Sequence, residues 1–408
     1  MVQSVNLSER QSADRDALDP QAQKSPSPTP SVLSQQTHSD PKRYARIKLT
    51  LSLIGTTFGF VFILALLLSG ATTAIERFVR LYLTNDYLAL LGFAALLGVA
   101  QTLLTLPLQY YSGFYLEHKY GLSNQSFGAW VWEGTKSLLV SIPIVTPLLL
   151  AFLYCLKTFG ATWWLPVGAG LFFVSVILAR LGPVLIFPLF YKFELLPDGG
   201  LKSTILRRCA EVGMPVQGVF VFNMSKNTKK ANAAFTGLGK SRRIILGDTL
   251  VANFRDDEIE TVFAHELGHY KLKHLLIMLS IGTVNSFLGL YVTALLYSGS
   301  LSWFGFSSID QIAVLPLLAL WLGLFSFITT PLVNMVSRAH ERAADRFAVQ
   351  LTKNGEAFAN SLRKLASINL ADVSPHPTVE FLFHSHPSIE KRIRAIELLT
   401  SASRPESA

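Results

Sequence analysis

Two histidines and a glutamate in the second half of the chain have the spacing of a zinc-binding hydrolytic site. His265, Glu266 and His269 lie in the segment FAHELGHYKLKH and form the pattern H-E-x-x-H. On a helix, residues four apart share a face, so both imidazoles can reach one ion. Zn²⁺ accepts such nitrogen ligands, and Glu266 would then be placed to take a proton from water. The alternative is a solvated, charged helix end on which the histidines are incidental.

A second segment, SRAHERAAD, supplies candidates for a third ligand, because a hydrolytic zinc site has three protein ligands and one open position. Glu341 is the leading candidate, and Asp345 lies one helical turn further on and faces the same way. Asp345 could accept an N–H from a ligating histidine and so fix its tautomer. The alternative is an exposed helix surface on which both carboxylates pair with arginines, namely Arg338, Arg342 and Arg346.

The elements that must position these residues are mainly membrane helices. The 408-residue chain has 50% hydrophobic residues and only 15% charged ones, with a mean hydropathy of +0.37. Apolar runs of 18 or more residues are typical of transmembrane helices. We therefore predict a mainly α protein, a polytopic membrane bundle with a cytosolic α+β part. The six predicted spans are Leu49–Gly70, Tyr87–Pro107, Ser137–Leu156, Trp163–Phe187, Leu275–Tyr297 and Ile312–Val336.

The basic residues predict the orientation of the bundle. A cluster at Lys42–Lys48 precedes the first span, and the segment from Tyr191 to His274 is rich in Lys and Arg, so both are predicted to be cytosolic. This placement also accounts for the net charge of +9, and no nucleic-acid-binding motif is present, so no nucleic-acid partner is expected. The two cysteines, Cys155 and Cys209, lie far apart, which argues against a cysteine-based zinc site.

Outside the spans, the pattern predicts a small soluble part. GVFVFNMS and RRIILGD are typical of short strands, separated by the turn-forming segment ANAAFTGLGKS. A helix with an acidic first turn carries the H-E-x-x-H motif, and separate helices are expected for SRAHERAADRFAVQLTK and PSIEKRIRAIELL. The predicted organisation is a disordered polar tail (1–43), a four-span region (44–190), a soluble insertion (191–274), a two-span hairpin (275–336), a C-terminal helical part with the third ligand (337–400) and a polar tail (401–408).

The predicted hairpin of spans five and six brings the two motifs to one side of the membrane. His269 lies six residues before span five, and Glu341 lies five residues after span six. At about 1.5 Å per helical residue, each lies roughly 8–9 Å from its membrane boundary. This equal depth favours one shared site over two unrelated helix surfaces. His274, at the foot of span five, is expected to face the lipid headgroups.

Several motifs together carry a family resemblance. From about Tyr110 to Leu399 the chain resembles the zinc-dependent type I CAAX prenyl endopeptidases, which are membrane-embedded gluzincin proteases. The motifs are EHKYGLSNQS, FPLFYKFELLPDG, NAAFTGLGKSRRIILGDTL, AHELGHYKLKH, SRAHERAAD and SHPSIEKRI. Eukaryotic members are described with seven spans, whereas six are clear here, so six or seven spans remain open.

The resemblance implies one zinc ion and the residues that hold and use it. Its ligands would be His265, His269 and Glu341. Glu266 would act as general base and then as general acid, and Asp345 would support the site from behind the ligands. The fold implied is a membrane helical bundle joined to a cytosolic α+β zinc metalloprotease domain with a small β-sheet.

The resemblance also implies residues that contact the substrate. His386 and Arg392, from the segment SHPSIEKRI, would stabilise the tetrahedral intermediate or hold the substrate backbone, as the developing oxyanion requires. Without the resemblance, His386 is better interpreted as a loop residue before a helix. Asn232 and Ala233 match an edge-strand segment, to which a peptide could add as a further strand.

The expected function is that of an integral membrane zinc metalloendopeptidase that removes the C-terminal aaX tripeptide of prenylated CAAX proteins. The alternatives are a broader quality-control protease for membrane proteins and a transporter or receptor in which zinc is structural. The expected partners are a peptide or protein substrate and the lipid bilayer. The site should face the cytosol, in the plasma membrane if the source is bacterial and in the endoplasmic reticulum membrane if it is eukaryotic.

Overall fold

The computed structural model describes residues 40–236 and 243–402. The predicted N-terminal tail therefore lies outside the described residues up to residue 39, and the C-terminal tail does so from residue 403. The first helix, α1 (Pro41–Leu68), begins inside the predicted tail. Its start is set by Asp40, whose carboxylate accepts hydrogen bonds from the N–H groups of Lys42 and Arg43.

Six helices in the described ranges are long and apolar enough to cross a membrane, which confirms the predicted spans. Side chains such as Ile54, Val61 and Leu103 are more than half exposed, as expected for a surface that lipid rather than water covers. The bundle comprises α1, α2 (Ala71–Arg80), α3 (Asp86–Tyr110), α4 (Leu116–Lys119), α5 (Phe127–Phe159), α6 (Trp164–Leu181), α7 (Phe187–Phe190), α11 (His274–Ser300) and α12 (Pro316–Thr352). Single π-helical turns, Tyr111–Tyr115 and Gly182–Ile186, join α3 to α4 and α6 to α7.

The soluble insertion contains a four-stranded sheet. Its strands are β1 (Phe193–Leu195), β2 (Val219–Phe222), β3 (Ala233–Thr236) and β4 (Arg243–Gly247), in the order β1-β2-β4-β3. β2 and β4 are parallel, and both outer strands are antiparallel to their neighbours. The two strands predicted from the sequence are present. β3 occupies part of the segment predicted as a turn, and β1 was not predicted.

Three helices pack with the sheet around the main soluble core: α8 (Gly200–Glu211), α9 (Asp248–Asn253) and α10 (Asp256–Lys271). Alternate β4 residues and one face of α10 contribute the fully buried apolar side chains that hold sheet and helix together. Residues of α8, β2 and α9 complete this core, whose fully buried side chains include Ile205, Val219, Ile244, Leu246, Leu250, Ile259 and Phe263. The core therefore fixes the helix that carries the H-E-x-x-H motif.

The sixth span does not end at the membrane. α12 runs unbroken from Pro316 to Thr352, so the predicted span and the predicted helix after it are one element. Its 37 residues extend about 55 Å, well beyond a hydrocarbon core of about 30 Å. The division expected at residues 336 and 337 falls inside this helix. The prediction failed because polarity changes at that point while helical propensity does not.

Three shorter helices complete the C-terminal part: α13 (Gly355–Asn369), α14 (Pro377–Phe383) and α15 (Ile389–Ala402). α13 and α15 bury apolar side chains against the end of α12, and Ala264 joins α10 to the same core. Phe358 and Ile396 are its largest fully buried members. The loop between α14 and α15 is thereby held near the motif helix.

Candidate metal centre

The motif helix α10 and the long helix α12 come together at a glycine. A Cβ on Gly268 would lie 3.1 Å from the Cα and 3.2 Å from the carbonyl oxygen of Ala344. These distances are shorter than ordinary van der Waals contacts, and backbone atoms cannot move aside as a flexible side chain can. The close approach of the two helices therefore requires glycine at this position. Because Gly268 lies between the two motif histidines, the approach turns both imidazoles toward α12.

The two motif histidines meet Glu341 at this contact. His265 Nε2 lies 3.1 Å from His269 Nε2, and the Glu341 oxygens lie 3.4 Å and 3.2 Å from these two nitrogens. All three donor atoms lie within 4.8 Å of one another, and His265 and Glu341 are buried. Two imidazole nitrogens and one carboxylate oxygen are a donor set that zinc accepts. The residues present therefore fit a zinc ion.

Asp345 lies behind the histidines and joins them to α15. Its Oδ1 accepts from His265 Nδ1 at 2.8 Å, and Arg392 donates to both of its oxygens at 2.7 and 2.9 Å. Such a bidentate pair fixes both groups in orientation. Glu341 and Asp345 are each only 3% exposed, so the alternative of an exposed, salt-bridged helix surface is wrong.

His265 is a strong base in this environment. Burial by itself would lower the pKa of its imidazole, but hydrogen bonds to Asp345 and Glu341 outweigh burial and raise the pKa to about 9. Without a metal, the side chain is therefore protonated at neutral pH. A metal ion that binds through Nε2 must displace this proton.

We expect zinc binding to the metal-free protein at pH 7 to release about one proton, because zinc must displace the proton of His265. The apparent affinity for zinc should rise by roughly tenfold per pH unit up to the pKa of about 9 and then level off. Calorimetry in buffers of different ionisation enthalpy measures the proton release. In Asp345→Asn the release should be smaller, and a release near zero at pH 7 in the unaltered protein would contradict the assignment.

A cleft of about 350 Å³ opens beside these donor atoms. Glu266 lines it together with the candidate metal ligands His265 and Glu341, and so do Ala233, the first residue of β3, and Asn232 directly before it. β3 is an outer strand of the sheet, paired with β4 alone among the described strands. The structure therefore brings the predicted edge-strand residues and the predicted general base to the same cavity.

The loop before α15 brings His386 to the same cleft. His386 Nδ1 lies 2.8 Å from Glu341 Oε2, although the side chain is 60% exposed. Arg392, one helical turn into α15, has its Nη1 3.6 Å from the same oxygen and its Nη2 3.4 Å from His265 Nδ1. His386 and Arg392, the two residues suggested by the SHPSIEKRI segment, therefore both lie beside the candidate metal ligands.

His274 is part of the centre, and the expectation that it faces the headgroups is wrong. Its side chain is buried, and its Nδ1 lies 3.0 Å from Nδ1 of His269. The ring stacks on His340 with centroids 4.0 Å apart. His274 directly follows the turn between α10 and α11, where Lys273 has the left-handed φ of 57°. The short polar run between motif and span is the signal that could have indicated such a turn.

Two family profiles together match almost the whole chain. Peptidase family M48 matches residues 196–400, which hold strands β2 to β4, the motif helix and the donor residues. A second profile, described as the CAAX prenyl protease N-terminal region with five membrane helices, matches residues 17–192.

Relatives and a solved structure agree with both profiles. The uncharacterized metalloprotease YhfN of Bacillus subtilis is 33% identical, over 90% of this chain and 87% of that protein. CAAX prenyl protease 1 of Saccharomyces cerevisiae is 32% identical, over 80% of this chain and 76% of that protein. The crystal structure of S. mikatae Ste24p superposes with a TM-score of 0.78 at 29% identity and covers 88% of both chains. The chain therefore belongs to peptidase family M48, shares most of its length with the CAAX prenyl proteases, and is a membrane metalloprotease.

Proposed function

We propose that the protein hydrolyses peptide bonds beside the membrane with one zinc ion held by His265, His269 and Glu341. The observation that carries the proposal is the 350 Å³ cleft, whose lining includes two of these donors, His265 and Glu341, together with Glu266 and the edge-strand segment at Asn232 and Ala233. Among the described residues the compact donor group contains these three side chains alone. That leaves a position for water and substrate, as in hydrolytic sites. It disfavours a transporter or receptor in which four ligands enclose a structural zinc.

The chain's own residues have distinct roles in this proposal. A zinc ion bound there would polarise the scissile carbonyl and activate water. Glu266 takes the proton of the attacking water and passes it to the leaving amine. Asp345 accepts the Nδ1–H of His265, so that Nε2 presents its lone pair to the cleft.

His386 and Arg392 are proposed to hold the oxyanion or the substrate backbone. Both reach Glu341 Oε2 in the structure, so a carbonyl oxygen beside that carboxylate would lie within their range. Arg392 keeps its positive charge there. Burial by itself would lower the pKa of its guanidinium, but the neighbouring carboxylates, chiefly the negative charge of Asp345, outweigh burial, and the pKa is raised. Fixed donors at the point where negative charge develops are a large contribution to acyl-transfer catalysis.

The substrate is proposed to bind as an additional strand along Asn232 and Ala233. Because β3 is an outer strand, its second side can pair with an extended peptide, which would run toward Glu266. Main-chain hydrogen bonds of this kind set the register of the scissile bond without selecting a sequence. Selectivity must then come from side-chain pockets or from the membrane anchor of the substrate.

The substrate class we propose is a prenylated protein with a C-terminal CAAX sequence, from which the aaX tripeptide is removed. Its support is the similarity to proteins named CAAX prenyl protease 1 over most of the chain. The second candidate is broader proteolysis of membrane proteins. The basic residues before α1 and in the segment 191–274 support a site that faces the cytosol.

The deciding experiment compares a farnesylated CAAX peptide with its unprenylated twin, using purified protein in detergent. We expect zinc-dependent cleavage of both, with a markedly higher kcat/KM for the farnesylated peptide because its lipid is retained beside the site. A chelator should abolish cleavage and added zinc should restore it. Equal kcat/KM values would remove the CAAX assignment while leaving the protease. Absence of zinc-dependent cleavage would contradict the protease itself.

A further inference from the structure

Arg338 on α12 is a buried cation whose polar partners are backbone carbonyls. The residue is 7% exposed, and its Nη1 donates to the carbonyl oxygens of Glu380, Phe381 and His384 at 3.1, 3.3 and 2.6 Å. The guanidinium also lies 5.7 Å from the ring centre of Phe381. Within the described ranges it forms no ion pair with a carboxylate, although buried charged side chains are normally paired. The three carbonyls take the place of a counter-ion.

Two of these carbonyls, those of Glu380 and Phe381, lie in the last turn of α14, and the third belongs to His384, the residue that follows the helix. The final carbonyls of a helix lack intrahelical donors and carry the negative end of its dipole, so a cation there is favourable. Arg338 thus caps α14 from a different helix. Lys391 of α15 also holds α14, since its Nζ lies 3.0 Å from both carboxylate oxygens of the buried Glu380.

The loop that Arg338 holds leads directly to His386. Only Ser385 separates His384, whose carbonyl Arg338 binds, from His386, whose side chain reaches Glu341 Oε2 at 2.8 Å. Because that side chain is 60% exposed, the packing around its ring does not fix its position, and the backbone of the loop must do so. Arg338 and Glu341 lie three residues apart on one face of α12. A single helical turn therefore holds both the loop and the carboxylate that His386 contacts.

We propose that Arg338 is a positioning residue that fixes the backbone of residues 384–386 relative to Glu341 and so places His386 for catalysis. Arg338 itself contacts neither the donor atoms nor the cleft. The proposal rests on the role assigned above to His386. The proposal adds that Arg338 links α12, which carries the ligand Glu341, to the loop that carries His386.

Substitution of Arg338 tests this directly. Arg338→Met should lower kcat on the cleaved peptide by about 10- to 100-fold, the scale on which a misplaced catalytic group reduces rate, while zinc content and KM stay close to the unaltered values. Arg338→Lys should recover part of the loss, because an ammonium also donates to carbonyls. The matched control is Arg342→Met, an exposed arginine one turn further along α12, which should be fully active.

A double variant separates positioning from a general structural effect. If Arg338 acts through His386, Arg338→Met should cause no further loss of kcat in a protein that already carries His386→Ala. Losses that multiply in the double variant would overturn the proposal. So would a zinc-loaded Arg338→Met protein with unaltered kcat, or a His386→Ala protein with unaltered kcat.

Hydrogen exchange gives a readout that does not depend on activity. Arg338→Met should speed amide exchange in residues 377–388, and Arg342→Met should not, because only the former releases the end of α14. Unchanged exchange in that segment would overturn the proposal. If the unaltered protein shows no zinc-dependent cleavage, the proposed function fails, and exchange still decides whether Arg338 holds the loop.

Discussion

Replacing Glu266 with glutamine is expected to lower kcat for peptide cleavage by about 10²- to 10⁴-fold, the contribution typical of a general acid–base group. Glutamine keeps the size of the side chain but cannot accept the proton of the attacking water. Because Glu266 lines the cleft and is not one of the three donor residues, zinc content should remain that of the unaltered protein. Peptide cleavage and metal analysis on the same preparation measure both quantities.

The matched control for this variant is Glu260→Gln. Glu260 lies on the same helix, and its carboxylate accepts from Arg208 Nε at 2.7 Å, away from the cleft. This change removes the same charge from α10 and should leave kcat near the unaltered value. Retained cleavage in Glu266→Gln would contradict the assignment of the general base, whatever the behaviour of the control.

Replacing Glu341 with glutamine is expected to remove zinc from the protein and with it all cleavage. The carboxylate provides the charged oxygen of the donor set, and a neutral amide is a poor substitute. The loss of zinc affinity should exceed the 10- to 100-fold loss that is typical when a residue that hydrogen-bonds to a metal ligand is replaced. Competition with a chelator of known affinity gives the dissociation constant. Normal metal content in Glu341→Gln would remove Glu341 from the ligand set.

Asp345→Asn provides the comparison that distinguishes a residue that binds the metal from a residue that hydrogen-bonds to a metal ligand. Its carboxylate contacts His265 Nδ1 and Arg392 but is not one of the three clustered donors. We therefore expect weaker zinc binding than in the unaltered protein and stronger binding than in Glu341→Gln. The reverse order would assign the coordinating carboxylate to Asp345.

The membrane bundle could be predicted because hydrophobic length is a local property. Each of the six predicted spans coincides with a helix of sufficient length and hydropathy. The ends were less accurate, since a helix continues wherever its backbone bonds continue, regardless of the lipid boundary. α1 starts at the Asp40 cap, inside the predicted polar tail. α12 continues as a helix through its middle, where the sequence changes from apolar to charged residues.

The proximity of the two motifs could also be predicted, because it follows from the number of residues between each motif and the nearer end of span five or span six. Equal distances from the membrane placed His269 and Glu341 together, and they lie 3.2 Å apart between donor atoms. The helical spacing of Glu341 and Asp345 correctly predicted that they share one face of α12, and the structure shows that this face is buried. His386 and Arg392 needed the family resemblance, because a loop some 45 residues further on has no periodicity that relates it to α12.

The contacts that could not be predicted depend on turns and on helix ends. His274 reaches His269 only because Lys273 adopts a left-handed conformation, which the residue type does not favour. Arg338 resembled a surface cation among other arginines, and its burial depends on where the end of α14 lies. β1 has three residues, too few to show an alternating pattern.

Because α12 is continuous, we expect that the candidate metal centre cannot be expressed as a water-soluble fragment. Cutting at residue 336, where the polar part begins, would sever the helix two residues before Arg338 and leave Glu341 on a frayed end without its anchoring span. Keeping the helix whole retains some twenty apolar residues that need a bilayer. One helix provides both the membrane anchor and the carboxylate of the candidate metal centre, so a change that disrupts the span is expected to disrupt the centre as well.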